Sequence, residues 1–209
     1  RLKDGETEAY VVRPATLEDV SFIQDIEAYA AQRHLLRCVR DTALWHYELG
    51  GRTPGSCNSE SVCIIADVVG TPVGYLRHPE VLWGNSLALL TYELKPGASW
   101  WEVTPCVMRY LKDTGTAYKP YFETDDAKPF ERLMFVLGSD HPCYPIVVGE
   151  WLPRFHKPYS WYVRVPDLPD FLLHVAPVLE ERLACSVMAG YSGELWLNFY
   201  RDGLHLVFE

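Results

Sequence analysis

Few of the residues that could do chemistry in this chain stand at spacings that would make them do it. His141-Pro142-Cys143, taken with Cys57 and Cys63, offers metal-ligating atoms, but no CxxC or HxxxH spacing accompanies them, so a structural zinc is not expected. No HExxH, GxSxG or GxxxxGK[ST] sequence occurs, which leaves metalloprotease, α/β-hydrolase and P-loop nucleotide chemistry without a motif. Cys106 and Cys143 lack any motif that would mark a nucleophile. Glu123-Thr124-Asp125-Asp126 could hold a hard cation, yet it lacks the alternating spacing and the glycine of a calcium loop and reads as an acidic surface loop. What remains is a carboxylate, Glu93, on the β-rich run Ser86–Leu94, followed by Lys95-Pro96-Gly97-Ala98 and a serine that can open a helix. A lysine beside a helix N-terminus attracts anions in a general way.

These residues depend on the elements around them. Tyr10–Arg13 reads as a strand, Pro14-Ala15 as a break, and Thr16-Leu17-Glu18-Asp19 as a helix cap ahead of a face formed by Val20, Ile23, Ile26 and Tyr29. A second helix is expected over Asp41–Leu49, ending at Gly50-Gly51, and residues 50–60 read as a surface loop. Val62–Val68 and Val73–Arg77 form a hairpin around Gly70-Thr71-Pro72, and Ser86–Leu94 is a third β-rich run. Ser99-Trp100-Trp101-Glu102 has capping-box spacing ahead of a helix toward Lys112, with Thr104 and Pro105 as an alternative start. Trp100 and Trp101 are expected to pack in the core at that helix start. A helix is expected over Lys128–Leu137 and a short strand over Ile146–Val148. Trp151–Pro158 reads as a connection, followed by a strand at Trp161–Val165, a helix capped by Asp167 with a kink at Pro177, and a hairpin around Asp202-Gly203.

The 209 residues suit one large domain or one domain with a smaller module. Hydrophobic residues make up 48% and charged residues 22%, enough apolar surface to offset the cost of ordering a backbone. The net charge of −9, with no lysine or arginine run, excludes nucleic acid as an expected partner and opposes docking on anionic membranes, while favouring cationic amines in a cleft. Six cysteines, several in apolar segments, point to buried thiols in a reducing compartment, and no leader or membrane span is read, so a cytoplasmic protein is expected. The absent initiator Met and the finish at Glu209 suggest a piece of something longer.

The element order, opened by Val12-Arg13-Pro14-Ala15-Thr16-Leu17-Glu18-Asp19 and continued by Ile65-Ala66-Asp67-Val68-Val69-Gly70-Thr71-Pro72-Val73-Gly74-Tyr75-Leu76, resembles the GNAT superfamily of N-acetyltransferases. The resemblance implies an α+β fold over residues 1–150: a mixed, mostly antiparallel sheet, splayed open at its middle strands and flanked by helices, with acetyl-CoA as co-substrate in the gap. A small-molecule primary amine would enter from the other side and attack the thioester. On that basis Leu90, Tyr92 and Leu94 would hold the pantetheine arm through their backbone, Lys95, Gly97, Ala98 and Ser99 would meet the pyrophosphate, and Glu93 would be the base, directly or through water. The bland alternative for Glu93 is a solvated charge at a strand end.

The chain also departs from the family. Lys95-Pro96-Gly97-Ala98-Ser99-Trp100-Trp101 stands where a run with arginine or glutamine and two small residues is usual, and the family's late tyrosine falls on Phe130, which has no proton to give. The thiolate then leaves unassisted, or Tyr121 or Tyr144 substitutes, or the site is inactive. Residues 160–209 resemble the start of a sterol-carrier-like domain, a small α/β extension. Two functions follow: an N-acetyltransferase, or a catalytically degenerate module of the same frame whose aromatics line an apolar pocket or a subunit interface, as in a homo-oligomer.

Overall fold

A computed structural model describes residues 7–33, 38–53, 56, 58–118, 129–151 and 164–209. The chain divides into two compact units, Arg1–Pro158 and Tyr159–Glu209. The expectations for Glu123–Asp126, Tyr121, Cys57 and most of Trp161–Val165 fall outside the described residues.

In the first unit, β1 (Tyr10–Pro14), β2 (Glu60–Asp67) and β3 (Pro72–Pro79) form an antiparallel sheet that β5 (Thr91–Leu94) extends. Asp67 closes the β2–β3 turn, its Oδ1 accepting from Val69 N at 3.1 Å and Thr71 N at 2.8 Å, and Gly70 supplies the positive φ of 89°. The β-rich run Ser86–Leu94 does not stay whole. Its first half, β4 (Ser86–Leu89), pairs in parallel with β6 (Arg132–Phe135), and its second half, β5, pairs antiparallel with β3.

The helix expected over Lys128–Leu137 is therefore corrected: β6 lies within that range. Four residues between two irregular stretches are too few to show a period, and the parallel partner supplies the ordering. The short strand expected at Ile146–Val148 is likewise corrected, because it lies inside helix α4, Tyr144–Trp151. Propensity is a weak prior, and β-branched residues sit in helices when packing asks for it.

Two apolar clusters cover the two faces of the sheet. On one face α1 (Val20–Ala30) buries Val20, Ile23 and Ile26 with Trp45 of α2 (Thr42–Gly50), against Val62, Ile64 and Tyr75. The fourth position of the α1 face is Ala30 and not Tyr29, which is exposed. Asp19 anchors the helix start, with Arg13 donating twice to its carboxylate at 2.7 Å and Thr16 N donating at 2.8 Å. On the other face α3 (Trp100–Ala117) buries Val103, Val107 and Leu111 against Leu76, Leu87, Leu89 and Tyr92. Ser99 caps α3, accepting from Glu102 N at 3.3 Å, and Pro105 sits inside the helix, so the alternative start at Thr104 is not used. Among the described residues no helix is long and apolar enough to cross a membrane.

The second unit carries α5 (Leu168–His174), capped by Asp167 at 2.9 Å from Asp170 N, then α6 (Ala176–Ala184), so the kink read at Pro177 is a break at Val175. Strands β7 (Gly193–Asn198) and β8 (Gly203–Phe208) form a hairpin. Asp202-Gly203 is not its two-residue turn: Asn198 faces Gly203, and a four-residue loop bridges them with Tyr200 at φ 79°.

Candidate functional site

The site begins where one strand changes partners. Leu89 O accepts from Val136 N at 2.9 Å, the last bond joining β4 to the β6 side, and Leu90 N donates to Arg77 O at 2.9 Å on the β3 side. From there β5 runs beside β3, with Leu76 opposite Tyr92 and Tyr75 opposite Glu93, while the chain after β6 turns away at Gly138, φ 84°. Two neighbouring strands thus part at Leu89 and Phe135. The fold is α+β, a mixed sheet that is mostly antiparallel and flanked by helices.

Comparison with solved structures finds similarity to several acetyltransferases. One, described as a possible acetyltransferase from Clostridium difficile 630, is 11% identical, with 76% of this chain and 98% of that chain covered and a TM-score of 0.47. A ribosomal-protein-alanine N-acetyltransferase from Brucella melitensis biovar Abortus 2308 is 14% identical over 75% of this chain and 100% of that one, TM-score 0.49. A spermidine N-acetyltransferase from Vibrio cholerae, solved with CoA and spermine, is 12% identical over 53% of this chain and 66% of that one, TM-score 0.43. No protein-family model and no curated protein matches the sequence.

Where the strands part, the edge of β5 is lined by aromatic side chains. The His141 ring lies 2.7 Å from Tyr92 O through Nε2, while Nδ1 accepts from Cys143 N at 3.2 Å. An acceptor at Nδ1 fixes the neutral tautomer with its proton on Nε2, so His141 donates to the Tyr92 carbonyl. Trp100 meets Tyr92 edge-on at 4.9 Å between ring centroids and His141 at 5.0 Å, and Tyr144 lies 6.1 Å from His141. The Tyr92 hydroxyl pairs with Thr104 Oγ1 at 3.1 Å, tying β5 to α3. Of the two tryptophans, only Trp100 packs here. Trp101 is 70% exposed, which corrects the expectation that both fill the core.

Each residue singled out from the sequence has a definite place. Glu93 is 6% exposed and ion-paired with Arg33 Nη2 from the short 3-10 turn Ala31–Arg33, and the Arg33 guanidinium carbon stands 5.8 Å from the Trp100 ring centroid. Glu93 is therefore not the solvated strand-end charge of the bland reading. Leu90 is half-buried at the change of partners and Leu94 is buried in the α3-side core. Lys95-Pro96-Gly97-Ala98 is a tight turn, closed by Ala98 N to Lys95 O at 3.1 Å, with proline second and Gly97 third at φ 84°, the sequence a type II turn demands. Ser99 Oγ is engaged by Glu102 N.

Phe130 is outside any helix and packs its ring on Gly115 of α3, where an added Cβ would come within 2.5 Å of it. The segment from Phe130 to Phe135 is thus strand and approach to strand, and Tyr144 opens the helix that follows β6. Burial holds the Tyr144 phenol above its ordinary pKa, so it is protonated at neutral pH. Cys143, 3.0 Å from His141 Nδ1, has its thiol pushed up to about 12 by burial, and Cys106 to about 11, which removes both as thiolate nucleophiles. Among the described residues no group of three or more His, Cys, Asp or Glu side chains is placed to hold a metal. Sequence reasoning missed Arg33, sixty residues from its partner, and treated His141 only as a metal candidate.

Proposed function

We propose that the first unit is an N-acetyltransferase that moves an acetyl group from acetyl-CoA to a primary amine. The observation that supports it is the gap opened where β4 and β6 part from β5. The residues present fit the co-substrate in part: Lys95 and the first turn of α3 favour phosphate, while Glu102 in that turn opposes it and His141 holds the Tyr92 edge carbonyl. Acetyl-CoA would supply an acyl thioester.

The chain's own residues then handle protons. Glu93, freed from Arg33, takes one from the ammonium directly or through water, the amine nitrogen bonds to the thioester carbon, and the C–S bond breaks. Tyr144 gives the proton that the leaving thiolate needs, the role left open between it and Tyr121, and the second proton that the nitrogen sheds on becoming an amide restores the phenol. The net charge of −9 favours a cationic acceptor. Among the described residues three buried thiols, Cys63, Cys106 and Cys143, form no disulfide and support a reducing, cytoplasmic setting, and the second unit is read as a partial sterol-carrier-like module.

A second reading, a degenerate binding module, is favoured by one feature: His141 and Trp100 occupy the β5 edge that a pantetheine arm would use. Isothermal titration with acetyl-CoA separates the two. Heat on mixing supports the transferase, and none at ligand on the order of millimolar removes it. Turnover that falls at least about a hundredfold in Glu93→Gln, the range of a lost general base, would contradict the degenerate reading.

A further inference from the structure

A second cleft, of about 460 Å³, opens at the other end of the sheet, and it exists because β1 stops early. The β1–β2 pairing runs only to Pro14 opposite Cys63, with a last bond from Ala15 N to Val62 O at 2.9 Å, whereas β2 begins at Glu60. Among the described strands, Glu60 and Ser61 pair with β3 alone. The end of α2, through Glu48 and Leu49, and the last turns of α3, through Tyr110, Thr114 and Tyr118, wall the uncovered edge. The volume is that of a small-molecule site.

The ionisable groups decide which small molecule. Glu48, Glu60 and Glu80 line the cleft, and among the described lining residues there is no lysine or arginine. Behind the wall, Arg52 meets Glu48 at 2.5 Å, and Arg77 meets Glu60 at 2.5 Å and Glu48 at 3.6 Å. Among the described residues, three carboxylates against these two guanidinia leave one negative charge, at Glu80.

The neutral lining is committed as well. His78 Nδ1 lies 2.8 Å from Pro79 O, a carbonyl that can only accept, so Nδ1 carries the proton and Nε2 accepts from the Tyr110 hydroxyl at 3.0 Å. Cys63 Sγ, 3.2 Å from the same hydroxyl, then donates its S–H to it. Burial lowers the His78 pKa and raises that of Tyr110, so this chain stays neutral with its protons pointing into the protein. The wall therefore offers an entering ligand negative charge at Glu80 and the hydroxyls of Ser61, Thr114 and Tyr118, which can accept from an ammonium, with Leu49, Val62 and Ala117 beside them.

We propose that this cleft binds a small primary monoamine in its ammonium form, its head toward Glu80 and the phenols and its body on the aliphatic lining. The site is separate from the strand gap: Glu60 faces Pro79 and Glu93 faces Tyr75, four residues apart on β3, about 13 Å at the rise of a strand. The proposal does not depend on the transferase reading.

Titration calorimetry on the full chain tests it with n-hexylamine, hexan-1-ol and hexanoate as probes. Hexylammonium is expected to bind at least about tenfold more tightly than the alcohol, with hexanoate weaker still, and more weakly as salt rises. Glu80→Gln, at an exposed position whose folding a thermal melt confirms, is expected to remove most of that preference, and Glu93→Gln to leave it unchanged. Equal binding of amine and alcohol, indifference to Glu80→Gln, or no heat at probe on the order of 10 mM would each overturn the proposal. Loss of amine binding in Glu93→Gln would place the amine in the strand gap and overturn it too.

Discussion

Ser86–Leu89 and Thr91–Leu94 are two halves of one β-rich run, and they end in different surroundings. The first half is zipped in parallel to β6 and buried, with Leu87 opposite Leu133; the second is hydrogen-bonded to β3 on one side and meets the side chains of His141 and Trp100 on the other. The backbone of both halves is equally able to pair. What differs is the path of the neighbour: beyond Phe135 the chain turns at Gly138, and a carbonyl that would have met a strand meets an imidazole instead. A strand's neighbour, more than its own sequence, decides whether it becomes sheet interior or the wall of a gap.

The largest expected effect lies in the zipped half. Leu87→Ala empties a fully buried position between β4 and α3 and should cost about 2–5 kcal/mol by denaturant unfolding, the range for a core leucine that cannot be refilled. If it costs as little as a surface change, the β4–β6 pairing is not the firm side of the comparison. His141→Ala tests the other half. It leaves the Tyr92 carbonyl without its donor and should cost about 1–3 kcal/mol in the same assay. An increase in affinity for acetyl-CoA in that variant would mark His141 as a stopper in the gap, and a decrease would mark it as part of the binding surface.

The turn after β5 should respond less. Gly97→Ala places a side chain at φ 84°, where nothing lies within 4 Å of the new Cβ, so only backbone strain is felt, about 1 kcal/mol by thermal or chemical unfolding. The smallest effect is on pH dependence, at the far end of β3. Burial lowers the His78 pKa from 6.5, so its contribution to stability is complete above that value and lost as pH falls through it toward the folded-state value. Tyr110, Tyr118, Glu60 and Glu80 face this ring, and of these the two carboxylates oppose the shift. Replacing His78 with Gln should flatten the fall in melting temperature on mild acidification.

The parts of this fold legible in the sequence are those whose cause is local. Asp41 and Ser99 as caps, Gly70 in its turn and the apolar stripe of α1 are each dictated within a few residues. β6 was not legible, because Arg132–Phe135 is a strand only through a partner forty-six residues away. The gap was legible only as an expectation from element order. Its contents were hidden for the same reason as β6: the Arg33–Glu93 pair and the His141–Tyr92 bond join residues sixty and forty-nine positions apart, and no periodicity encodes such meetings. Glu93 could be chosen as the carboxylate of a β-rich run, but its burial and its guanidinium partner could not be foreseen.

A sheet that opens to admit something also bares a row of main-chain groups on which any stray polypeptide segment could add itself, as in fibril growth. The imidazole at Tyr92 and the indole beside it occupy part of the side of β5 that has no strand partner. With its carbonyl already bonded to His141, Tyr92 offers an incoming segment one acceptor fewer.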